Sequence, residues 1–463
     1  MAPGFSTIYW PIETKVRELD AALLFAVLGA QRGWSVVVGG KTELYGRLKQ
    51  NAEPGILVDK SIQKGSERLF APLRKRGHRV FARCEEAMYI SNPEEYCSRK
   101  TGREAFHEVE AVLALGRHHA DALHQVYPQY SQKVVTTGNV RFDLLTPAVR
   151  AIHEREASRL REQWGEFYLL NTKLVKVNPS VEWGAGYLER SIARKHVKTE
   201  EHIQLLAWRV ELEKGVLAHT VDFVERFAKE LPGERLIIRP HPAEGFALWR
   251  NLSRGKTNIH VVHEGSVLPW LMAGKLSISS DCTTSVEAYL LDKPGINFRP
   301  IEAADEVEWE LPKIVAYQVA STDALLSALA QKDPRSGLAL PSTLTDEIVR
   351  KHFAQHGRRL ASESILDYFD GLYRARNGSN GIGHDPLGKV DPAYVALQRL
   401  KVLVAWCISK HNRNRHRNRV HKIRGLEMGE IAERVEHVCR TLGYKSVLVK
   451  KLAPNIFHIF RTA

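Results

Sequence analysis

An arginine and a histidine close the apolar run LIIRPHPAE, Leu236 to Glu244, and the histidine, His241, stands between two prolines. A residue before proline is pushed out of the helical region and each proline fixes its own φ, so His241 is held extended just past a buried strand. Arg239 and His241 then project near the strand's carboxyl end, where both are able to donate to phosphate oxygens. The alternative is a stiff strand-to-helix turn in which His241 caps a backbone carbonyl. Further along, SSDCTTSVEA, Ser279 to Ala288, runs from a strand into a helix start. Thr284 and Glu287 have the spacing of a capping box, and Thr283, Thr284 and Ser285 add hydroxyl donors. The free N–H groups and positive dipole end of such a helix suit a phosphate, although the same box serves a purely structural start. Between them, EGSVLPWLMAG, Glu264 to Gly274, is a turn that either meets a nucleotide base or simply connects.

Other charged residues fall at strand ends nearer the N-terminus. HRVFARC is followed by Glu85 and Glu86. Adjacent carboxylates raise each other's proton affinity and suit general acid or base chemistry, whereas a solvated acidic helix start needs no chemistry at all. TTGNVRFD turns at Gly138 and Asn139 and brings Arg141 and Asp143 to a strand end, where Asp143 either reacts or caps and pairs with Arg141. Glu13, Lys15, Arg17 and Glu18 follow the first strand and are placed to meet an acceptor or a sugar carboxylate, unless they are merely solvated.

The elements that must position these groups alternate. Strands are expected at 6–12, 35–40, 55–60, 78–84, 111–116 and 133–139, with helical segments between them, such as Thr14 to Arg32, where Leu19, Leu23, Leu24, Val27 and Leu28 recur at helical spacing. After a charged helix at about 145–165 the pattern restarts, with strands at 166–173, 235–241, 259–264, 276–280 and 294–299. Alternation of this kind implies parallel sheets with their loops gathered at the carboxyl edges, where ligands bind. The expected fold class is α/β: two Rossmann-like domains facing across a cleft, 1–145 on the acceptor side and 146–375 for nucleotide, the latter including a linker helix and a return helix. A small basic α/β module at 386–463 is expected to stand apart.

Composition bounds the rest. The chain has 463 residues, 44% hydrophobic, and a formal charge of +14. Its longest apolar stretch, Ala21 to Ala30, is too short to cross a bilayer, and no signal peptide is recognisable, so a cytoplasmic location is expected. Five cysteines at unrelated spacings, with no CxxC pair, argue against structural zinc and disulfide chemistry. The positive charge implies an acidic partner.

RPHP, CTTS and the Glu85–Glu86 pair, in this order of domains, resemble the motifs of bacterial GT-B glycosyltransferases that use CMP-activated acidic sugars. LLNTK, TGNVRFD, RPHPAE and DCTTSVEA are most similar to the surface carbohydrate biosynthesis proteins, which include retaining β-Kdo transferases of lipopolysaccharide and capsule assembly. The resemblance covers roughly residues 5–330. It implies that His241 and Arg239, with Thr283, Thr284 and Ser285, bind the CMP phosphate and that Glu287 reaches the ribose. It implies catalytic roles for Glu85, Glu86 and His241, with Asp143 as the nucleophile of a retaining reaction. Ala87 replaces the glycine that usually follows the acidic pair, which puts the local backbone path in question. Arg17, Glu18, Arg141, Asn171 and Lys173 are weaker candidates for sugar or acceptor contacts. No DxD motif occurs, so no cofactor and no metal are expected. Two alternatives remain: a CDP-polyol-dependent polyol-phosphate transferase, and a non-catalytic glycan- or membrane-binding protein.

SKHNRNRHRNRVHKIR, Ser409 to Arg424, carries seven Lys or Arg and no acid. It is expected to attract an anionic membrane surface, placing the protein at the inner membrane beside a lipid-linked or oligosaccharide acceptor. Nucleic acid is the disfavoured partner, since no aromatics for stacking are interleaved with the basic residues.

Overall fold

In the computed structural model, residues 6–461 are described except 85, 86, 89, 91, 181–184, 195, 198, 304–309, 339–344, 358, 374–384, 390, 395, 398–399, 401–403, 405–422 and 424. The chain forms two α/β units, one from 1–152 together with 348–463 and one from 153–347. In the first, six strands run parallel: β1 (Thr7–Ile12), β2 (Ser35–Gly40), β3 (Ile56–Asp59), β4 (Arg79–Arg83), β5 (Ala111–Ala114) and β6 (Val134–Thr136). In the second, six more do: β7 (Tyr168–Asn171), β8 (Leu236–Arg239), β9 (Ile259–Val261), β10 (Leu276–Ser279), β11 (Ile296–Phe298) and β12 (Tyr317–Val319), in the order β12-β11-β10-β7-β8-β9. These are the two Rossmann-like domains expected. The short β12, YQV, has too few apolar residues to be seen by pattern.

The C-terminal segment corrects the expected third module. Its hairpin, β13 (Leu448–Ala453) and β14 (Ile456–Phe460), adds antiparallel to β2, giving the eight-strand order β13-β14-β2-β1-β3-β4-β5-β6. A lone hairpin with one helix has too little apolar surface to fold by itself. Docked on β2, Ile456, Phe457, Ile459 and Phe460 are buried, and the unpaired edge of VVV is covered. The helix Met428–Leu442 packs on Lys15–Gln31, whose apolar residues Leu19, Leu23, Leu24, Val27 and Leu28 are all buried. The basic run Ser409–Arg424 lies outside the described residues apart from Ile423. Among the described residues, no helix is long and apolar enough to cross a membrane.

The boundary of the second unit also differs from expectation. The amphipathic stretch 343–373 is two helices, Thr345–His352 and Ala361–Leu372, and the second belongs to the first unit. There Phe369 lies 4.8 Å from Phe81 of β4, and Trp34 donates to Asp370 at 2.8 Å. The second unit's core forms where Phe223 and Phe227, from the 31-residue helix Glu200–Glu230, meet Tyr168, Trp249 and Phe298.

Burial pushes the imidazoles of His78, His119 and His352 down to about 4, 3 and 4. An unfolded histidine takes up its proton near 6.5, so the folded state binds fewer protons below that pH and loses stability as pH falls toward 4. Asp143, raised to about 7 by burial, works in the opposite direction over the same window. Asp59 and Glu244, also raised by burial, act in the same direction as Asp143. The imidazole contribution is therefore read from a variant: urea unfolding followed by circular dichroism should show that His119→Gln loses less stability than the parent chain between pH 6.5 and pH 5, by roughly 1.4 kcal/mol per pH unit; an equal loss in the two chains would contradict the assignment.

Candidate nucleotide and anion sites

The second sheet ends in a row of polar residues. Gln318, Asn297, Ser279, Asn171 and Arg239 are in register across β12, β11, β10, β7 and β8. Most of this row is bonded internally. Asn297 donates to Gln318 at 3.0 Å and accepts from the backbone of Asp281 at 2.9 Å, and Ser279 bonds Ser285 at 2.8 Å. The Nδ2 of Asn171 is different: it is buried and has no hydrogen-bond partner, an arrangement that is costly unless something else accepts from it.

His241 stands two residues past β8. Its Nδ1 accepts the N–H of Ala243 at 3.1 Å, so the neutral ring must carry its proton on Nε2. The flanking prolines therefore do more than stiffen a turn: they and this local bond present Nε2–H as a donor of fixed tautomer. Beneath it, the buried Glu244 accepts from Thr172 Oγ1 at 2.8 Å, Leu174 N at 2.7 Å and Trp249 Nε1 at 3.0 Å. Burial raises the pKa of this carboxyl, while those hydrogen bonds work to lower it. Glu244 was not among the expected site residues; its signal is an acid three residues after a proline-held histidine.

Arg239 departs from the expected phosphate contact. Its guanidinium donates to the carbonyl of Glu264 at 2.9 Å and to that of Gly265, so those donors hold the turn after β9. Burial pushes it down to about 10, which leaves it charged near neutrality. The helix after β10 begins at Thr283 with Cys282 at its N-cap and no side-chain cap, so the capping box expected of Thr284 and Glu287 is not formed. Asp281, at φ +44°, makes the turn into it, and Lys173 pins that turn by donating to the Asp281 carbonyl. Thr284 Oγ1 is buried without a partner, and Ser285 and Glu287 lie on the helix's buried face. His241, Asn171 and the uncapped helix start stand at the ends of the neighbouring strands β8, β7 and β10 and make up the candidate site, while Arg239, Lys173 and Ser285 are spent on positioning.

In the first unit, Asp143 is wholly buried. It accepts from Ala361 N at 2.7 Å, Ser362 N at 2.8 Å and Ser362 Oγ at 2.6 Å. The carboxylate thus caps the return helix from a distance in sequence and is not placed as the expected nucleophile. Gly138, at φ +86°, makes this possible, since a Cβ there would run into Gln355 and lie 2.9 Å from Ala361. Glu85 and Glu86 lie outside the described residues. Arg17, Glu18 and Arg141 share a cavity of about 280 Å³ with Lys41, Lys60 and Arg83, which sequence reasoning did not single out. Their signal was the placement of a cation at or just past the ends of β2, β3 and β4.

No protein-family model and no curated protein matches the chain. Among solved structures, it is similar to the UDP-GlcNAc 2-epimerase of Methanocaldococcus jannaschii, with 13% identity over 79% of this chain and 99% of that one, at a TM-score of 0.47. For the UDP-GlcNAc 2-epimerase of Neisseria meningitidis the values are 12%, 78%, 98% and 0.45. For the wall teichoic acid polymerase TagF they are 9%, 80%, 84% and 0.42. The Rossmann-like character of the two units is seen in their parallel strand order.

Replacing Asp143 by Ala should cost about 2 kcal/mol or more of stability, because two helix N–H groups and a hydroxyl lose a buried acceptor. Thermal unfolding should register that loss while activity per folded molecule persists; full stability with abolished turnover would restore Asp143 as a reacting group.

Proposed function

We propose that this chain is a sugar-nucleotide-dependent glycosyltransferase of the GT-B kind, transferring Kdo or a related ulosonic acid from its CMP-activated form to a lipopolysaccharide or capsule acceptor. The observation that carries this reading is the donor set at the carboxyl edge of the second sheet. His241 offers Nε2–H in a fixed tautomer, and the helix at Thr283 begins without a side-chain cap. β8 and β10 flank β7, so these two features follow strands about 10 Å apart. As the bond to CMP breaks, charge builds on the phosphate, and donors already oriented need little reorganisation to meet it. The choice of CMP and of an acidic sugar comes from the motif resemblance.

With Asp143 occupied in capping, Glu85 and Glu86 are the proposed groups for proton transfer or for attack on the anomeric carbon. No metal is needed in this scheme, since the leaving phosphate is stabilised by protein donors and a helix dipole. The basic run Ser409–Arg424 would bring the enzyme to an anionic leaflet, adding about 1 kcal/mol per cation near the surface. Co-sedimentation with phosphatidylglycerol vesicles, lost on changing its arginines to glutamine, checks that part; equal binding by the altered chain removes it.

Incubation with CMP-Kdo and a synthetic glycan acceptor should release CMP and extend the glycan, with CDP-glycerol as the comparison donor. His241→Ala should lower kcat by roughly 10²–10³. Absence of turnover with every CMP-activated acidic sugar tried, or turnover with CDP-glycerol alone, would sink the proposal.

A further inference from the structure

We propose that the carboxyl edge of the first sheet carries a second anion site, built for a sugar-sized acid, that is, a sugar bearing a carboxylate or a phosphate. Its cavity of about 280 Å³ is lined by Arg17, Lys41, Lys60, Arg83, Lys100 and Arg141. Among the described residues only Glu13 and Glu18 line it with opposite charge. Glu18 is already committed. Its carboxylate accepts from the backbone of Glu13 at 2.9 Å and of Thr14 at 3.3 Å, and from Lys60 Nζ at 2.7 Å. Burial alone would raise the Glu18 pKa, but Lys60 and Arg83 overcome this and hold it below the usual value. Even if Glu85 and Glu86, which follow Cys84 in sequence, contributed both their charges, cations would outnumber acids.

The strand ends explain why the charge is concentrated. Lys41 follows β2 and Lys60 follows β3 directly, Arg83 is the last residue of β4, and Arg17 lies in the first turn of the helix after β1. These four strands are neighbours in the sheet, so parallel topology gathers the four cations at one edge. Arg83 is the deepest, 3% exposed, with its guanidinium 4.4 Å from the ring centre of Trp10. A buried cation is expensive without an anionic partner. Glu18 and Asp59 answer part of this: Asp59 takes the Tyr45 hydroxyl and the backbone N–H of Ser61, the latter at 3.0 Å. The remaining excess of positive charge attracts an anion, and a low local dielectric strengthens that attraction.

Size and the neutral lining point to more than a bare ion. Ser61, Gln63 and Tyr96 line the same cavity with neutral polar side chains suited to a polyol, whereas the Thr101 hydroxyl, also at the wall, is taken up by the Cys97 carbonyl and Tyr127. Behind them, the backbone N–H of Leu115 donates to His119 Nδ1 at 3.2 Å, so the neutral ring carries its proton on Nε2 and donates to the Tyr96 oxygen at 3.0 Å. The phenol is thereby held in one orientation. This inference rests on the proposed transferase function only in calling the ligand a sugar; the charge excess stands without it.

Calorimetric titration of the full chain tests the site, with glucuronate as the carboxylate arm, glucose 6-phosphate as the phosphate arm, and inorganic phosphate and glucose as controls. At least one sugar acid should bind, more tightly than inorganic phosphate and at least tenfold more tightly than glucose, and binding should weaken as salt is raised. Arg17→Gln with Lys41→Gln, both at partly exposed positions, should weaken it at least tenfold further while the thermal melt and CMP binding stay unchanged. Glucose binding as well as the acids, inorganic phosphate binding as tightly as glucose 6-phosphate, or unchanged affinity in the double variant would each overturn the proposal. Sugar-acid binding without turnover of any CMP-sugar would keep this site and remove the transferase reading, whereas turnover without sugar-acid binding would do the reverse.

Discussion

A buried carboxylate joins the two stretches of chain that make up the first unit. Asp143, at the end of the first six-strand run, accepts three hydrogen bonds from Ala361 and Ser362, about 218 residues later. The partners arrive only after the whole second unit has been made, so the first sheet is finished by chain that returns to it. Through this contact the helix Ala361–Leu372 is laid against β4, where Phe369 meets Phe81 and Asp370 meets Trp34. The same return supplies the helix Met428–Leu442 and the β13–β14 hairpin that closes the edge at β2. An acid in that position must tolerate desolvation, and its raised proton affinity is the cost of acting as a remote helix cap.

Two carboxyl edges are then furnished differently by the same topology. In the second sheet a row of uncharged and cationic side chains is bonded to itself and to the adjoining turns, leaving Asn171 Nδ2 and Thr284 Oγ1 as buried groups without partners. In the first, cations crowd a cavity and the nearest acids are already engaged. One edge offers oriented neutral donors, the other offers net positive charge. Parallel sheets make both possible, because every strand's last residue and the loop after it fall on one side.

The elements that were legible in the sequence are those whose signals are local. Short β-rich runs marked eleven of the twelve parallel strands, and the leucine spacing marked the helix Lys15–Gln31. The placement of His241 just past its strand belongs with them, since its two prolines are its immediate neighbours, whereas its tautomer is set by a bond from the Ala243 N–H that only the structure shows. The misassignments were of another kind. Arg239 looked like a phosphate ligand because nothing nearby in sequence competes for it, yet Glu264 and Gly265 take its donors across 25 and 26 residues. Asp143 was expected either to react or to cap, and the groups it caps, Ala361 and Ser362, come from 218 and 219 residues further along the chain. The C-terminal segment looked like a separate module because its composition is distinct, although its hairpin is too small to bury its own apolar face.

Residue types and their spacing by themselves determined that this chain would build parallel sheets, that a histidine would be fixed at one strand end, and that cations would follow several others. These follow from backbone sterics and side-chain period, which act over a few residues. Tertiary structure alone decided which charged groups are used up and which are left to meet a ligand. That outcome depends on partners brought from far along the chain into a medium where every polar group must find one, and no local pattern records where those partners come from.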